Sequence, residues 1–309
     1  MRNVNDFLNT APFDLYELSL FHLVVKHRSF TKAAELAGLT QSAITRQMQG
    51  MENSLGIDLL ERTTRSVRVT QAGEFLFHES AKLLGDVDNS LRRLKEDFAN
   101  AKKEIRIGVS RSIGLAYLPG FFHANLRRGL PVSYRMTYQP SANILSALEA
   151  NELDLGVLCP PPRLPKTLAV THRFTDAFTL IASAESAECF QALPKSKAAR
   201  LAWLQKQSWL LLEESTNTGR TLRKWMSRSG LKVEPAMQLD SFDLIITLAS
   251  LGMGISFVPM RALALHGQKK NLIRLHLPDR FERELVVVTR KHRKQPKHLA
   301  EFVGNILFG

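Results

Sequence analysis

Between residues 29 and 55 the apolar and polar positions sort into two short helices joined by a tight turn. Ala33, Ala34 and Ala37 are small enough for another helix to pack closely on the first. Gly38 supplies the backbone freedom a sharp turn needs, and Thr40 is placed to cap the next helix. In that second helix Ile44, Met48, Met51 and Leu55 recur at helical spacing and predict a buried stripe. The other face holds Gln41, Ser42, Thr45, Arg46 and Gln49, side-chain types that hydrogen-bond base edges and phosphates from a major-groove helix. Spacing alone leaves two readings open, a DNA-reading helix pair and a helical hairpin with a solvated face.

The following segment favours the first reading. Leu59 and Leu60 continue the core, Thr64, Arg65 and Ser66 form a polar tip, and Val67 and Val69 alternate with Arg68 as in a half-buried strand. A β-wing results, with Arg62, Arg65 and Arg68 available to phosphates or a minor groove. A winged helix-turn-helix accounts for residues 15–70, after an N-terminal extension over residues 1–14. Residues 71–99 then read as one long helix capped by Thr70. Leu84, Val87, Leu91, Leu94 and Phe98 step by three and four along it, the seam of a coiled coil. A helix packed only on its own domain would give the same pattern, but this one follows a complete winged helix and runs into a strand of a different domain.

From residue 104 onward strands and helices alternate. Strands are expected at 104–110, 132–138, 154–159, 178–182, 209–212, 255–258 and 285–289. Helices are expected through Leu118 to Leu126, through Ile144 to Leu148, and at 218–228, 242–251 and 296–307. Such alternation predicts parallel sheets covered by helices, an α/β architecture. Ligands in open α/β sheets bind beyond the carboxyl ends of strands, where helix N-termini favour anions. Ser110, Arg111 and Ser112 follow the first strand, Ser141 opens the helix after the second, and Ser215, Thr216 and Asn217 open the helix after Leu212. Plain N-capping is the competing reading for those hydroxyls.

The ordered set Phe21, Ser29-Phe30-Thr31, Ala33-Ala34, Leu36, Leu39, Gln41, Ala43, Arg46-Gln47, Leu55-Gly56, Leu60, Glu61-Arg62, Thr70 and Ala72-Gly73-Glu74 resembles the LysR-type transcriptional regulators. Thr40-Gln41-Ser42 stands where that family often has Ser-Gln-Pro, and Thr45 where it often has Ser. Both changes keep short polar groups and bear on which operator is read. The segments 152–158 (ELDLGVL) and 248–259 (LASLGMGISFVP) resemble the family's effector domain. The resemblance implies a cytoplasmic bacterial regulator of double-stranded operator DNA, with Thr31 and Lys32 joining the DNA contacts. It also implies a linker helix that pairs two subunits, and effector domains that pair dimers into a homotetramer. The effector domain, residues 104–309, would be similar to periplasmic solute-binding proteins. Its first subdomain would cover about 104–160 plus 271–309, and its second about 161–270. A small-molecule effector, anionic by the chemistry above, would sit between them on Ser110, Arg111, Ser112, Ser141, Thr216 and Asn217. RNA polymerase stands open as a further partner.

The chain carries +13 net charge over 309 residues, but the excess is misplaced for DNA reading. Residues 1–103 hold 14 basic and 13 acidic side chains, against 28 and 16 in the remainder. The basic half could line an anion site, lie beside bent DNA, or be solvated surface. No apolar run is long enough for a membrane span, and none at the N-terminus resembles a signal peptide. A solute-binding protein, which explains only the second half, needs such an export signal. Cys159 and Cys189 exclude a disulfide framework; a redox-sensing regulator built on them is the alternative function. No phosphate-binding glycine loop, no metal-ligand histidine spacing and no nucleophile–base set is present, so neither an enzyme nor a cofactor is expected.

Overall fold

The computed structural model describes residues 12–61, 67–99, 101–114, 132–265, 271–277, 279–291 and 296–306. The chain forms two compact units that divide between Ala101 and Lys102. Most of the N-terminal extension, the wing tip at 62–66 and the helix expected through Leu118 to Leu126 lie outside the described residues.

The first unit opens at a capping box. Asp14 accepts a hydrogen bond from the Glu17 amide at 2.8 Å, and Glu17 accepts one from the Asp14 amide at 3.0 Å. Helix α1 (Leu15–His27) therefore starts one residue after Asp14. Helix α2 (Phe30–Ala37) ends at Gly38, whose φ of 68° is the left-handed conformation anticipated for the turn. Helix α3 (Gln41–Leu55) follows, capped by Thr40, which accepts from the Ala43 amide at 3.2 Å. Phe21, Val24, Ala33, Ala34, Ile44, Met48, Met51, Leu59 and Leu60 share one buried core. Strands β1 (Leu60–Glu61) and β2 (Arg68–Val69) pair antiparallel as the base of the wing.

Helix α4 (Gln71–Phe98) is capped by Thr70, which accepts from Gly73 at 3.0 Å. Its first turns are fastened to α1 by His22, whose ring stacks on Phe77 at 4.5 Å. The Ser80 hydroxyl donates to the Phe77 carbonyl, so it accepts from His22 Nδ1–H at 3.1 Å. Farther along, Val87, Leu91, Leu94 and Phe98 are exposed, Phe98 by 83%. Leu84 is half-buried, and the exposed apolar stripe continues instead through Leu83.

In the second unit, β3 (Lys103–Val109) lies parallel between β4 (Val132–Tyr138) and β5 (Leu155–Leu158). A buried ion pair ties β3 to the entry of β5. Asp154 accepts from the Arg106 amide at 2.8 Å and from its guanidinium at 3.2–3.3 Å. Beyond β5 the sheet turns antiparallel. Strand β11 (Glu282–Arg290) pairs with β5 on one side and with β6 (Leu168–Ser183) on the other. The far half of β6 pairs with β9 (Ser256–Pro259) and β10 (Leu272–Leu275). Strands β7 (Trp209–Leu212) and β8 (Pro235–Leu239) form a parallel pair, bridged to Ile255 beside β9. Helices α5 (Ser141–Glu149) and α11 (Lys297–Ile306) accompany the first group of strands. Helices α6 (Ala184–Gln191), α7 (Lys197–Gln205), α8 (Asn217–Arg228), α9 (Phe242–Ser250) and α10 (Met260–Leu265) accompany the second.

Purely parallel sheets are thus a partial description: β6 and β11 return antiparallel, and β6 runs through both groups, pairing with β11 along its first half and with β9 and β10 along its second. Strand β6 is also sixteen residues long rather than the five expected: over residues 168–177 only Leu168 and the charged Asp176 are buried, the rest being half-buried or exposed, so that stretch lacks the apolar signal of a strand. Strand β10, in the 271–309 stretch assigned by sequence to the first subdomain, pairs with Leu180–Ser183 beside β9. Residues 184–205, for which the apolar pattern gave no element, form α6 and α7, capped by Ser183 and Ser196.

Burial lowers the His22 pKa from 6.5 to about 4, with Lys26 and His27 adding to the effect. Between these values the unfolded chain binds a proton that the folded chain refuses, so stability falls as pH drops from about 6.5 to about 4. Replacing His22 with Phe keeps a ring on Phe77 and removes the proton site. Calorimetry across this range should give a flatter midpoint-versus-pH curve for His22→Phe than for the parent chain. Parallel curves would mean His22 does not sense pH.

Candidate nucleic-acid interface and effector site

Helix α3 carries its chemistry on the side its core does not use. Ile44, Met48 and Met51 are buried, and Leu55 is half-buried against the same core. Gln41, Ser42, Arg46 and Gln49 are exposed. Thr45 is half-buried and its hydroxyl donates to the Gln41 carbonyl at 2.9 Å, which leaves its oxygen only as an acceptor. Thr31 and Lys32 are exposed on α2, Lys32 in an ion pair with Glu35 at 2.9 Å. Arg68 is exposed on β2, opposite Glu61 in the ladder. Arg62 and Arg65 lie outside the described residues.

One residue of this surface escaped the sequence reading. Glu52 is buried, and its Oε1 accepts from the amides of Leu59 and Leu60 at 2.8 and 2.9 Å. It therefore fixes where the wing leaves the recognition helix. The signal was its position: four residues after Met48, it falls on the apolar stripe, where a carboxylate must have a partner.

In the second unit, Ser110 starts a helical turn, its carbonyl accepting from Ile113 at 2.9 Å and Gly114 at 3.0 Å. Arg111 is exposed and paired with Asp240. Ser141 is the first residue of α5, whose N-cap position is held by Pro140. Thr216 caps α8: its oxygen accepts from the Gly219 amide at 2.9 Å and its proton goes to the Glu213 carbonyl at 2.8 Å. Asn217 Oδ1 accepts from Arg220, which also reaches the carbonyls of Glu214 and Ser215 at 3.2 and 3.0 Å. The capping reading thus describes the Thr216 hydroxyl as it stands.

What gathers this region is Arg283, which sequence reasoning missed. It faces Asp176 across the β11–β6 ladder, and the two side chains are 2% and 1% exposed. Its Nε and Nη2 each donate to Asp176 at 2.8 Å. Nη1 donates to the hydroxyls of Ser112 at 3.2 Å and Thr218 at 2.7 Å, and Nη2 to the Ser112 carbonyl at 3.0 Å. That uses all five N–H groups of the guanidinium. The rings of Phe178 and Phe242 lie 5.2 and 5.8 Å from its centre. Arg283 thereby joins the helical turn after β3 to the first turn of α8. The Arg111–Asp240 pair, at 59% and 50% exposure, is worth at most about 1 kcal/mol; the buried pair decides the geometry. Thr218 also lies 3.4 Å from Cys159 Sγ, at the end of β5. Cys159 and Cys189 are free thiols, Cys189 exposed on α6. Among the described residues no group of three His, Cys, Asp or Glu side chains could hold a metal ion, and no helix is long and apolar enough to cross a membrane.

Residues 15–74 match the family described as "Bacterial regulatory helix-turn-helix protein, lysR family". Residues 99–307 match the "LysR substrate binding domain". The chain is 30% identical over 259 residues to the HTH-type transcriptional regulator CfxR of Cupriavidus necator, covering 81% of this chain and 77% of that one. It is 25% identical over 279 residues to the RuBisCO operon transcriptional regulator of Allochromatium vinosum, covering 88% and 89%. Full-length CbnR, solved with its target DNA, has a similar fold, with a TM-score of 0.67 at 21% identity over 95% of this chain and 99% of that one. The chain belongs to the LysR family of bacterial helix-turn-helix proteins and is a ligand-responsive, DNA-binding transcriptional regulator with that family's substrate-binding domain.

Proposed function

We propose that α3 reads the operator with Gln41, Ser42, Thr45, Arg46 and Gln49, while Thr31, Lys32, Arg62, Arg65 and Arg68 hold the DNA backbone or minor groove. The observation that carries this reading is the separation of faces on α3. A fully buried Ile44–Met48–Met51 stripe fixes which side is turned outward, and that side is polar and exposed. Arg46 lies at the centre of the outward face, where a guanidinium can grip a guanine edge with two hydrogen bonds.

The regulator works in the cytoplasm as a dimer, with the exposed stripe of α4 as its seam. Leu83, Val87, Leu91, Leu94 and Phe98 are large apolar side chains in contact with water. Pairing two such stripes buries them and sets two winged helices over one two-fold-symmetric site. Dimers then pair into a tetramer. The effector is a small anion lodged between two subdomains, at the helix starts marked by Ser110, Arg111, Ser112, Ser141, Thr216 and Asn217. The N-termini of the post-β3 turn and of α8 converge on Arg283, which supports this placement. An effector that prefers one arrangement of these helix starts shifts the population toward it.

Two measurements test the reading. Anisotropy titrations should show Arg46→Ala weakening binding to a selected operator by about 1–3 kcal/mol while leaving scrambled DNA nearly unchanged. Arg68→Ala should weaken both alike and reduce the salt slope by about one. Equal losses on both DNAs for Arg46→Ala would remove its base-reading role. Light scattering should show a smaller particle for Leu91→Asp than for the parent chain. An unchanged mass with intact DNA affinity would place the seam elsewhere.

A further inference from the structure

A groove on the second group of strands shares no lining residue with the helix starts at residues 110–112, Ser141 and residues 216–217. Helices α7 and α8 form its walls, and the segment after β10 closes one end. Leu201, Leu204, Trp225, Leu231 and Leu277 line its apolar floor. Its interior volume is about 110 Å³, open to solvent at the mouth.

The rim is cationic. Lys195, Lys197 and Arg200 stand around the mouth, with Asp279 the acidic residue among the lining side chains. Lys197 and Asp279 approach at 3.8 Å with both side chains mostly in water, so that pair is weak and readily exchanged. Arg200 is held in place by its contact with the Phe190 ring, 5.1 Å from the guanidinium centre. Its Nε is buried without a hydrogen-bond partner.

We propose that this groove is a second small-molecule site, for a monocarboxylate with an apolar body. Leucines and a tryptophan on the floor favour a hydrocarbon or aromatic body over a hydrated polyanion. Two uncompensated positive charges at the mouth favour a single carboxylate head over a neutral or cationic one. The groove also has a route to the rest of the unit. Trp225 lies two turns along α8 from Thr218, which holds Arg283. A ligand wedged against Trp225 therefore bears on the helix whose first turn closes the Arg283 network.

Calorimetry on the full-length protein with octanoate tests the proposal without DNA and without any effector of the first site. Octanoate should bind once per chain, and octylamine, with the same body and opposite charge, should bind at least tenfold more weakly. Ser229→Trp fills the groove and should abolish binding. Arg200→Gln leaves the apolar floor in place and should weaken binding about tenfold, with an unchanged circular dichroism spectrum; it carries the test alone if Ser229→Trp does not fold. No heat with octanoate, equal affinity for octylamine, or full affinity in Arg200→Gln would each overturn it.

Discussion

A charge taken out of water needs hydrogen-bond partners, and each unit of this protein has one that gathers several. In the first it is Glu52, whose carboxylate accepts two amides of the wing strand at 2.8 and 2.9 Å. In the second it is Arg283, with all five donors engaged by Asp176, Ser112 and Thr218. Breaking the Arg283–Asp176 pair by removing one partner costs about 3–5 kcal/mol, because the other charge stays buried alone. Small displacements of the attached segments are therefore resisted. Apolar packing, being non-directional, would tolerate them.

These two charges specify geometry more than they add stability. The buried stripe of α3 sets which face of the helix turns outward, but it does not set where the wing begins. Glu52 does, through Leu59 and Leu60. In the second unit the long strand β6 runs between the two groups of strands, and its Asp176 faces Arg283 on β11. Through Ser112 and Thr218 the same guanidinium holds one helix start from each group. A ligand that reordered those helix starts would have to keep this network or exchange it as a whole, and packed, hydrogen-bonded segments of this kind switch between discrete arrangements rather than deform continuously.

The sequence revealed what rests on local periodicity and little of what rests on long-range pairing. The Ile44–Met48–Met51 stripe, the Gly38 turn and the Thr40 cap follow from residues a few positions apart, and each was visible. Arg283 and Asp176 are 107 residues apart, and no local rule joins them. In sequence Arg283 reads as one more surface charge between Glu282 and Glu284. The first half of β6 was hidden for the same reason, since its register depends on β11, far along the chain. Thr216 illustrates the opposite case. Its position at a helix start was legible, but its hydroxyl serves the helix itself through Gly219 and Glu213.

The central claim is that a buried charge, rather than the exposed contacts alone, sets the DNA-reading geometry. Glu52→Met tests it most directly, since it alters no exposed side chain of α3 and leaves two wing amides without an acceptor. The measurement is affinity for a selected operator, at a temperature where circular dichroism shows the variant folded. The account predicts a loss of at least tenfold, about 1.4 kcal/mol, with the particle mass unchanged. Operator affinity equal to that of the parent chain would contradict it.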